Sequence, residues 1–233
     1  MKPQEFRYRH FLPTIILQCL RWYLRYPISY RQLAEMISER GIEVDHTTIY
    51  RWIQHYAPEF EKRIRWYAKP LVWSVRVDET YIKVKGQWKY LYRAVDSYGR
   101  TVDFMLSHKR DYAAARRFFK KMLKPCRDQP STITTDKHVP YAKAIKELKE
   151  EGVLRETLHH RQNQYLNNII EQDHRHIKRR VRPMLGFQSF KTANRTLKGI
   201  EAMAMMIKEQ TIYLQKSFQN QIQFFNRLFN VYA

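Results

Sequence analysis

Apolar residues recur at helical spacing at both ends of the chain and at strand-like spacing in its middle. Between Thr14 and Tyr26, residues Ile16, Leu17, Leu20, Tyr23 and Leu24 fall on one helical face, and Pro27 ends the pattern. Ser29 then stands where a helix cap is needed, Gln32 completes a capping box, and Ile28 can staple onto Leu33, which predicts a second helix running to Arg40 and stopping at Gly41. Asp45 as cap and the Val44 and Ile49 pair repeat the device, starting a third helix at about His46. Helix, glycine turn and helix make a helix-turn-helix pattern whose last helix turns Ile49, Trp52, Ile53 and Tyr56 inward. That leaves His46, Thr47, Thr48 and Arg51, with Tyr50 beside them, for base edges and phosphates. An ordinary helical hairpin with a solvated polar face has the same pattern.

Pro58 and Pro70 bracket a charged, aromatic stretch that reads as a linker. Beyond it the period changes. Residues 71–78 and 80–84 are β-rich, Lys85-Gly86-Gln87 turns the chain into 88–95, and Asp96-Ser97-Tyr98-Gly99 turns it again into 101–106, giving three antiparallel strands. Tyr112 to Leu123 is helical, with Ala115, Phe118, Phe119 and Met122 on one side and Arg116, Arg117, Lys120 and Lys121 outside. A short strand, 131–135, ends at Asp136; a helix from Tyr141 stops at Gly152; Leu154 to His159 can form a fifth strand; and a helix follows from Asn167. The order β-β-β-α-β-α-β-α describes an α/β fold of the ribonuclease H-like type, a mixed five-stranded sheet with helices, behind an all-α helix-turn-helix domain. The predicted boundaries are 1–57 for the helical domain, 58–70 for the linker, 71–183 for the ribonuclease H-like domain and 184–233 for a helical C-terminal segment. In that segment Ser189 can cap a helix lined by Leu197, Ile200, Met203, Ala204 and Ile207, and Phe218, Ile222, Phe225 and Phe229 form a stripe for core or subunit contact.

Charge narrows the class of partner. Lys and Arg number 43 against 22 Asp and Glu, a net charge of +21, and the pI is near 10.0. Such a chain releases counterions from a polyanion, so nucleic acid is the expected partner. Ribosomal proteins and histones share the charge but are usually shorter and poorer in aromatic residues than a chain with 16 Tyr, 12 Phe and 5 Trp. Two cysteines, Cys19 and Cys126, form neither a disulfide framework nor a zinc spacing. The basic N-terminus imitates a signal peptide, but Arg21 and Arg25 interrupt its apolar run. No stretch approaches the roughly 20 apolar residues of a membrane span. The expectation is a soluble, cytoplasmic, nucleoid-associated protein with no membrane partner.

Three acids stand where this fold gathers side chains: Asp78 on the first strand, Asp136 after the fourth, Glu171 on the last helix of the core. Hard divalent cations take oxygen ligands, and two ions about 4 Å apart can clamp both oxygens of an in-line phosphoryl displacement. Asp78 is hard to explain otherwise, because an acid in a Val-rich strand is costly to bury without compensation. Asp136 could instead cap the next helix. Glu171 could be the third-position partner of Asn168 in a capping box, a role compatible with metal ligation. A regular strand would point Glu79 to the opposite face from Asp78, and Asp173 should point away from Glu171. His174 and His176 do not share a helix face, which argues against zinc. On the helix, Glu171, His174 or Arg175, and Lys178 fall on one side, a carboxylate followed by cations.

Several blocks, in order, carry a resemblance. Residues 76–86 (Arg76 to Gly86), 88–96 (Trp88 to Asp96) and 165–178 (Tyr165-Leu166-Asn167-Asn168 through Lys178), with Tyr30-Arg31 to Arg51-Trp52 upstream, resemble the signature blocks of bacterial insertion-sequence DDE transposases, and among them the insertion-sequence-six family. The 34 residues between Asp136 and Glu171 match the family's D(34)E spacing. The loop Lys137-His138-Val139-Pro140 departs from the family pattern. The resemblance implies that Asp78, Asp136 and Glu171 are the catalytic, metal-holding triad, with Mg²⁺ as cofactor and Mn²⁺ able to substitute. It also implies that Lys178 contacts the DNA end, that the helix-turn-helix binds terminal inverted repeats, and that transposition is replicative, through cointegrates. Arg175, Arg179 and Arg180, with Arg182, are read as backbone contacts. Joining two DNA ends to a target calls for a homodimer or a larger assembly on double-stranded DNA. The rivals are a DNA-binding repressor whose transposase-like domain is inactive, and an integrase-like or ribonuclease H-like nuclease.

Overall fold

The computed structural model of the protein describes residues 3–69, 74–124, 129–163, 168–212 and 217–232. The chain forms two units, Met1–Lys69 with Arg179–Ala233, and Pro70–Lys178.

In the second unit, β1 (Ser74–Val84) and β2 (Gln87–Asp96) are joined by Lys85 and Gly86, both at positive φ, 48° and 75°. That is the backbone a two-residue hairpin turn requires, and Gly86 adopts it without strain. Asp96 closes the next turn by accepting from the backbone N–H of Tyr98 and Arg100, each at 2.9 Å, and β3 (Thr101–Ser107) pairs antiparallel with β2. After α4 (Tyr112–Leu123), β4 (Thr132–Thr135) joins β1 in parallel; after α5 (Val139–Glu150), β5 (His159–Gln162) joins β4 in parallel. The sheet order is β3-β2-β1-β4-β5. Three antiparallel strands extended by two parallel ones are the predicted ribonuclease H-like arrangement.

One strand of the sheet differs from the sequence expectation. The fifth strand lies at 159–162 rather than 154–159, because Leu154 and Leu158 are drawn into the core and the polar residues after them pair with β4. Residues 71–73, at the start of the first predicted strand, lie outside the described residues, as do Pro70, Cys126 and 164–167.

One face of the sheet presents Val75, Val77, Tyr92 and Ala94 to Phe118, Phe119 and Met122 of α4 and to Tyr141, Ala144, Ile145 and Leu148 of α5. The other face carries Asp78 and, directly opposite it in register, Arg93. It meets α6 (Asn168–Val181), where an ion pair of 2.7 Å joins Arg93 to Asp173.

In the first unit, α1 (Pro13–Arg25), α2 (Tyr30–Ser38) and α3 (His46–Arg65) form as predicted. The Ser29 hydroxyl accepts from the Gln32 N–H at 3.1 Å and the Gln32 side chain accepts from the Ser29 N–H at 2.8 Å, a complete capping box. The predicted linker is displaced: α3 continues through Pro58 to Arg65. Proline removes one backbone donor, but Ala57, Phe60 and Ile64 bury fully and carry the helix on.

The C-terminal helices α7 (Phe190–Ile207) and α8 (Phe218–Arg227) belong to this unit rather than standing apart. Ser189 caps α7, accepting from the Thr192 N–H. Gly199 lets α7 approach α1 and α3: a Cβ there would lie 2.7 Å from both the Ala57 Cβ and a Leu24 methyl. Phe225 and Phe229 are buried among Phe60, Phe6 and Tyr56, so this part of the aromatic stripe is core.

Candidate active site

Asp78 lies in the middle of β1, and Asp136 follows the last residue of β4, the strand paired alongside. Strand pairing therefore delivers both carboxylates to one place. Oxygens of Asp78, Glu79 and Asp136 lie within 4.8 Å of one another. The side chains of Asp78 and Asp136 are 19% and 26% exposed, enough for a ligand to reach. Asp136 does not cap α5. The residue before that helix is His138, and Asp136 Oδ1 instead accepts from the His138 N–H at 3.0 Å.

Glu79 is a correction to the sequence reading. Its backbone position alternates as expected, on the face of Val75 and Val77, yet its carboxylate reaches the cluster around Asp136. There it is ion-paired with Arg110 and accepts from the Tyr141 hydroxyl. Arg110 also reaches Asp136 Oδ2 at 3.2 Å. Tyr141 is well placed to donate, because burial first, then the neighbouring carboxylate of Asp78, pushes its hydroxyl well above the ordinary range. Neither Glu79 nor Arg110 could be found from spacing: one sits beside a more conspicuous acid and the other precedes a helix cap.

On α6, Ile170, His174 and Ile177 are buried, while Glu171 and Arg175 are exposed and Lys178 is partly so. Of the two candidates for the Glu171 side, Arg175 occupies it. His174 turns inward, its Nδ1 3.8 Å from Asp78 Oδ2, and burial first, then the charges of Arg93 and Lys178, lowers its pKa to about 3. It is therefore neutral. Asp173 points away from Glu171, to Arg93, as expected. Asn168 lies within the helix rather than standing before it as a cap; Asn167 lies outside the described residues.

Glu171 is outside the cluster of three carboxylates, but its charge is felt there. Burial is the largest cause that raises the Asp78 pKa to about 7, followed by the negative charges of Asp136 and Glu171; Arg110 and Lys178 oppose the shift. A carboxyl raised by burial and by neighbouring carboxylates is one whose ionised form a bound divalent cation would favour. The donors are all hard oxygens, and no His or Cys joins a metal-competent cluster among the described residues. This set fits Mg²⁺ or Mn²⁺ rather than zinc.

In the helix-turn-helix, Ile49, Trp52, Ile53 and Tyr56 are buried, while Thr47, Tyr50 and Arg51 are exposed and His46 and Thr48 partly so. The Thr47 hydroxyl donates to Asp45, which also caps α3 through the Thr47 N–H. Arg179 is exposed. Arg180 is not: it is 3% exposed, its Nε donates to the Tyr23 carbonyl at 2.5 Å and its guanidinium lies 4.1 Å from the Tyr23 ring centroid. This removes Arg180 from the expected DNA contacts, because its charge is spent inside the helical unit.

Known proteins match this chain along most of its length. A DDE domain family matches residues 72–210. The chain is 43% identical over 215 residues, covering 90% of itself and 92% of the relative, to the transposase for insertion sequence-like element IS431mec of Staphylococcus aureus (strain Mu50). It is 42% identical, with the same coverage, to the transposase for insertion sequence element IS257 in transposon Tn4003 of Staphylococcus aureus. Among solved structures, it is similar to the HTLV-2 integrase catalytic core domain in complex with magnesium, at 15% identity and a TM-score of 0.44, over 57% of this chain and 85% of that one. With the DDE domain spanning the sheet and α6, and relatives of this identity extending over the helix-turn-helix as well, the chain belongs to the DDE transposases of bacterial insertion sequences, in the insertion-sequence-six family.

Proposed function

We propose that Asp78, Asp136 and Glu171 form the catalytic triad of this transposase, cutting DNA at the ends of its element and joining the freed ends to target DNA, replicatively and through cointegrates. The observation that carries the reading is the convergence of Asp78 and Asp136 from paired strands, with the Asp78 carboxyl pushed up to about 7 by burial and by its two acidic partners. Asp78, Asp136 and Glu171 would hold Mg²⁺, for which Mn²⁺ can substitute. When bound, the cations polarise phosphoryl oxygens and lower the pKa of water.

The chain's own residues do the rest. In cleavage, a water oxygen bonds to phosphorus, the phosphodiester bond to the 3′ oxygen breaks, and that oxygen leaves as a hydroxyl. In strand transfer the same hydroxyl bonds to a target phosphorus, and a target 3′ oxygen leaves in its place. Both steps exchange one oxygen for another at phosphorus, so one site serves both. Arg175 and Lys178, on the exposed side of α6 with Glu171, hold the phosphate chain without reading bases. Arg179 adds a further backbone contact. His46, Thr48 and Arg51 read the terminal inverted repeat, with Thr47 contributing its remaining acceptor capacity. Two ends joined in one reaction require at least a homodimer on double-stranded DNA.

The test is a duplex carrying an element end, incubated with Mg²⁺ and the variants Asp78→Asn, Asp136→Asn and Glu171→Gln. Each should lose cleavage and strand transfer while still binding the terminal repeat. Cleavage at the wild-type rate by any of them removes that residue from the triad.

A further inference from the structure

Glu79 brings a further carboxylate to the cluster of Asp78 and Asp136, and its surroundings assign it a different task. Its side chain is 2% exposed, and an ionised group so far from water requires a partner. Both oxygens are engaged, Oε1 by Arg110 Nε and Oε2 by the Tyr141 hydroxyl. Glu79 and Arg110 therefore form a charge-neutral pair. Arg110 has a second arm. Its terminal nitrogen lies 3.2 Å from Asp136 Oδ2, while Asp136 Oδ1 accepts from the His138 N–H at 3.0 Å. The carboxylate of Asp136 is thus gripped at both oxygens, and the side-chain half of that grip is anchored on Glu79.

We propose that Glu79 and Arg110 act together as positioning residues: Glu79 fixes the guanidinium of Arg110, and Arg110 turns the Asp136 carboxylate toward Asp78. The proposal rests on the reading that Asp78 and Asp136 hold the divalent cation. A guanidinium suits the task because its planar fork presents donors along two edges at once, one to Glu79 and one to Asp136. A lysine ammonium keeps the charge but cannot hold two carboxylates in a fixed relative orientation. Groups that orient metal ligands from behind commonly change metal affinity by about 10–100-fold when replaced.

The experiment titrates Mn²⁺ into the full-length protein, followed by electron paramagnetic resonance, for the wild type, Glu79→Gln, Arg110→Lys, the double variant and Asp78→Asn, with circular dichroism to verify folding. Glu79→Gln and Arg110→Lys should each weaken Mn²⁺ binding by about 10–100-fold, with the wild-type number of ions at saturation. The double variant should be no weaker than the weaker single, since the two residues act as one device. Loss of a bound ion in Glu79→Gln would make Glu79 a ligand and overturn the proposal. So would wild-type affinity in Arg110→Lys, a partly exposed position where folding is not at risk. Asp78→Asn that binds Mn²⁺ like the wild type would instead overturn the metal-site reading beneath it.

Discussion

Replacing Asp173 by Asn removes one charge from the pair that fastens α6 to the sheet. Arg93 is 0% exposed and the Asp173 side chain 8%, and their nitrogen and oxygen are 2.7 Å apart. Both ions were taken out of water to make this contact, so deleting one partner leaves the other buried without its counter-charge. Such deletions destabilise by about 3–5 kcal/mol. Asparagine keeps an acceptor of the same shape, and Arg93 makes further interactions, which places the expected loss near the lower end, about 3 kcal/mol. For a chain of 233 residues that is a fall in melting temperature of roughly 6–12 °C.

Function should fall as well, and for a separate reason. Glu171 lies two residues before Asp173 and takes its position from the same turn of α6. Without the pair, α6 keeps its apolar contacts through Ile170 and Ile177 but loses the contact that fixes its register. The assay combines thermal unfolding with cleavage of an element-end duplex under saturating Mg²⁺, at a temperature where the variant is folded. The double variant Arg93→Met with Asp173→Leu should regain most of the stability, because a well-packed apolar pair commonly equals or exceeds a buried ion pair. A variant Asp173→Asn that melts within a degree of the wild type and cleaves at the same rate refutes the reasoning.

Four other outcomes are expected. Gly199→Ala should destabilise the helical unit by about 1–3 kcal/mol from overpacking, less the roughly 1 kcal/mol that Ala gains over Gly in a helix, because the added Cβ meets Ala57 and Leu24 at 2.7 Å; chemical denaturation measures it. Asp78 holds its proton up to about pH 7 in the folded chain against an ordinary 3.8, so the folded state binds more protons across that interval. Without cations its contribution to stability is present below about pH 4 and lost as pH rises through about 7; Mn²⁺ affinity should climb over the same range and lose that dependence in Asp78→Asn. Lys178→Ala should lower the slope of log binding constant against log salt by about 1 for an element-end duplex, read by fluorescence anisotropy. Arg180→Ala should leave that slope unchanged while lowering the melting temperature, since the guanidinium is held by Tyr23.

What the sequence made legible was local or chemically conspicuous. The Ser29 and Gln32 capping box could be read because both partners lie within one turn. Asp78 could be read because an acid among valines has few harmless explanations, and Asp136 because it closes an apolar strand. What escaped depended on distant partners. Pro58 reads as a boundary, and nothing nearby reveals that Ala57, Phe60 and Ile64 carry the helix through it. Arg180 reads as one cation in a basic run until Tyr23, far upstream, is seen to hold it. The alternation rule placed the Glu79 backbone correctly, but a two-methylene side chain beyond the end of β4 can still bend to Arg110 and Asp136. The aromatic stripe of the tail needed Phe60 and Phe6 to show that Phe225 and Phe229 are core.

The site divides its acids between two kinds of support. Asp78 is carried by β1 and Asp136 stands directly after β4, the strand paired beside it, so the sheet sets where their backbones lie. Glu171 is carried by α6, together with Arg175 and Lys178 on the same exposed side. Any slip of this helix along its axis moves the third acid of the proposed triad and the cations proposed to hold phosphate together, by about 1.5 Å per residue of register. That is a large error for groups proposed to act at one phosphorus atom. The contact that opposes it, Arg93 with Asp173, joins the strand residue directly opposite Asp78 to the helix turn that bears Glu171. A buried ion pair is weak support for stability compared with an apolar pair, but it tolerates little displacement. On this argument the Arg93→Met, Asp173→Leu protein, restored in stability, should remain impaired in cleavage, which separates what the pair does for the fold from what it does for the site.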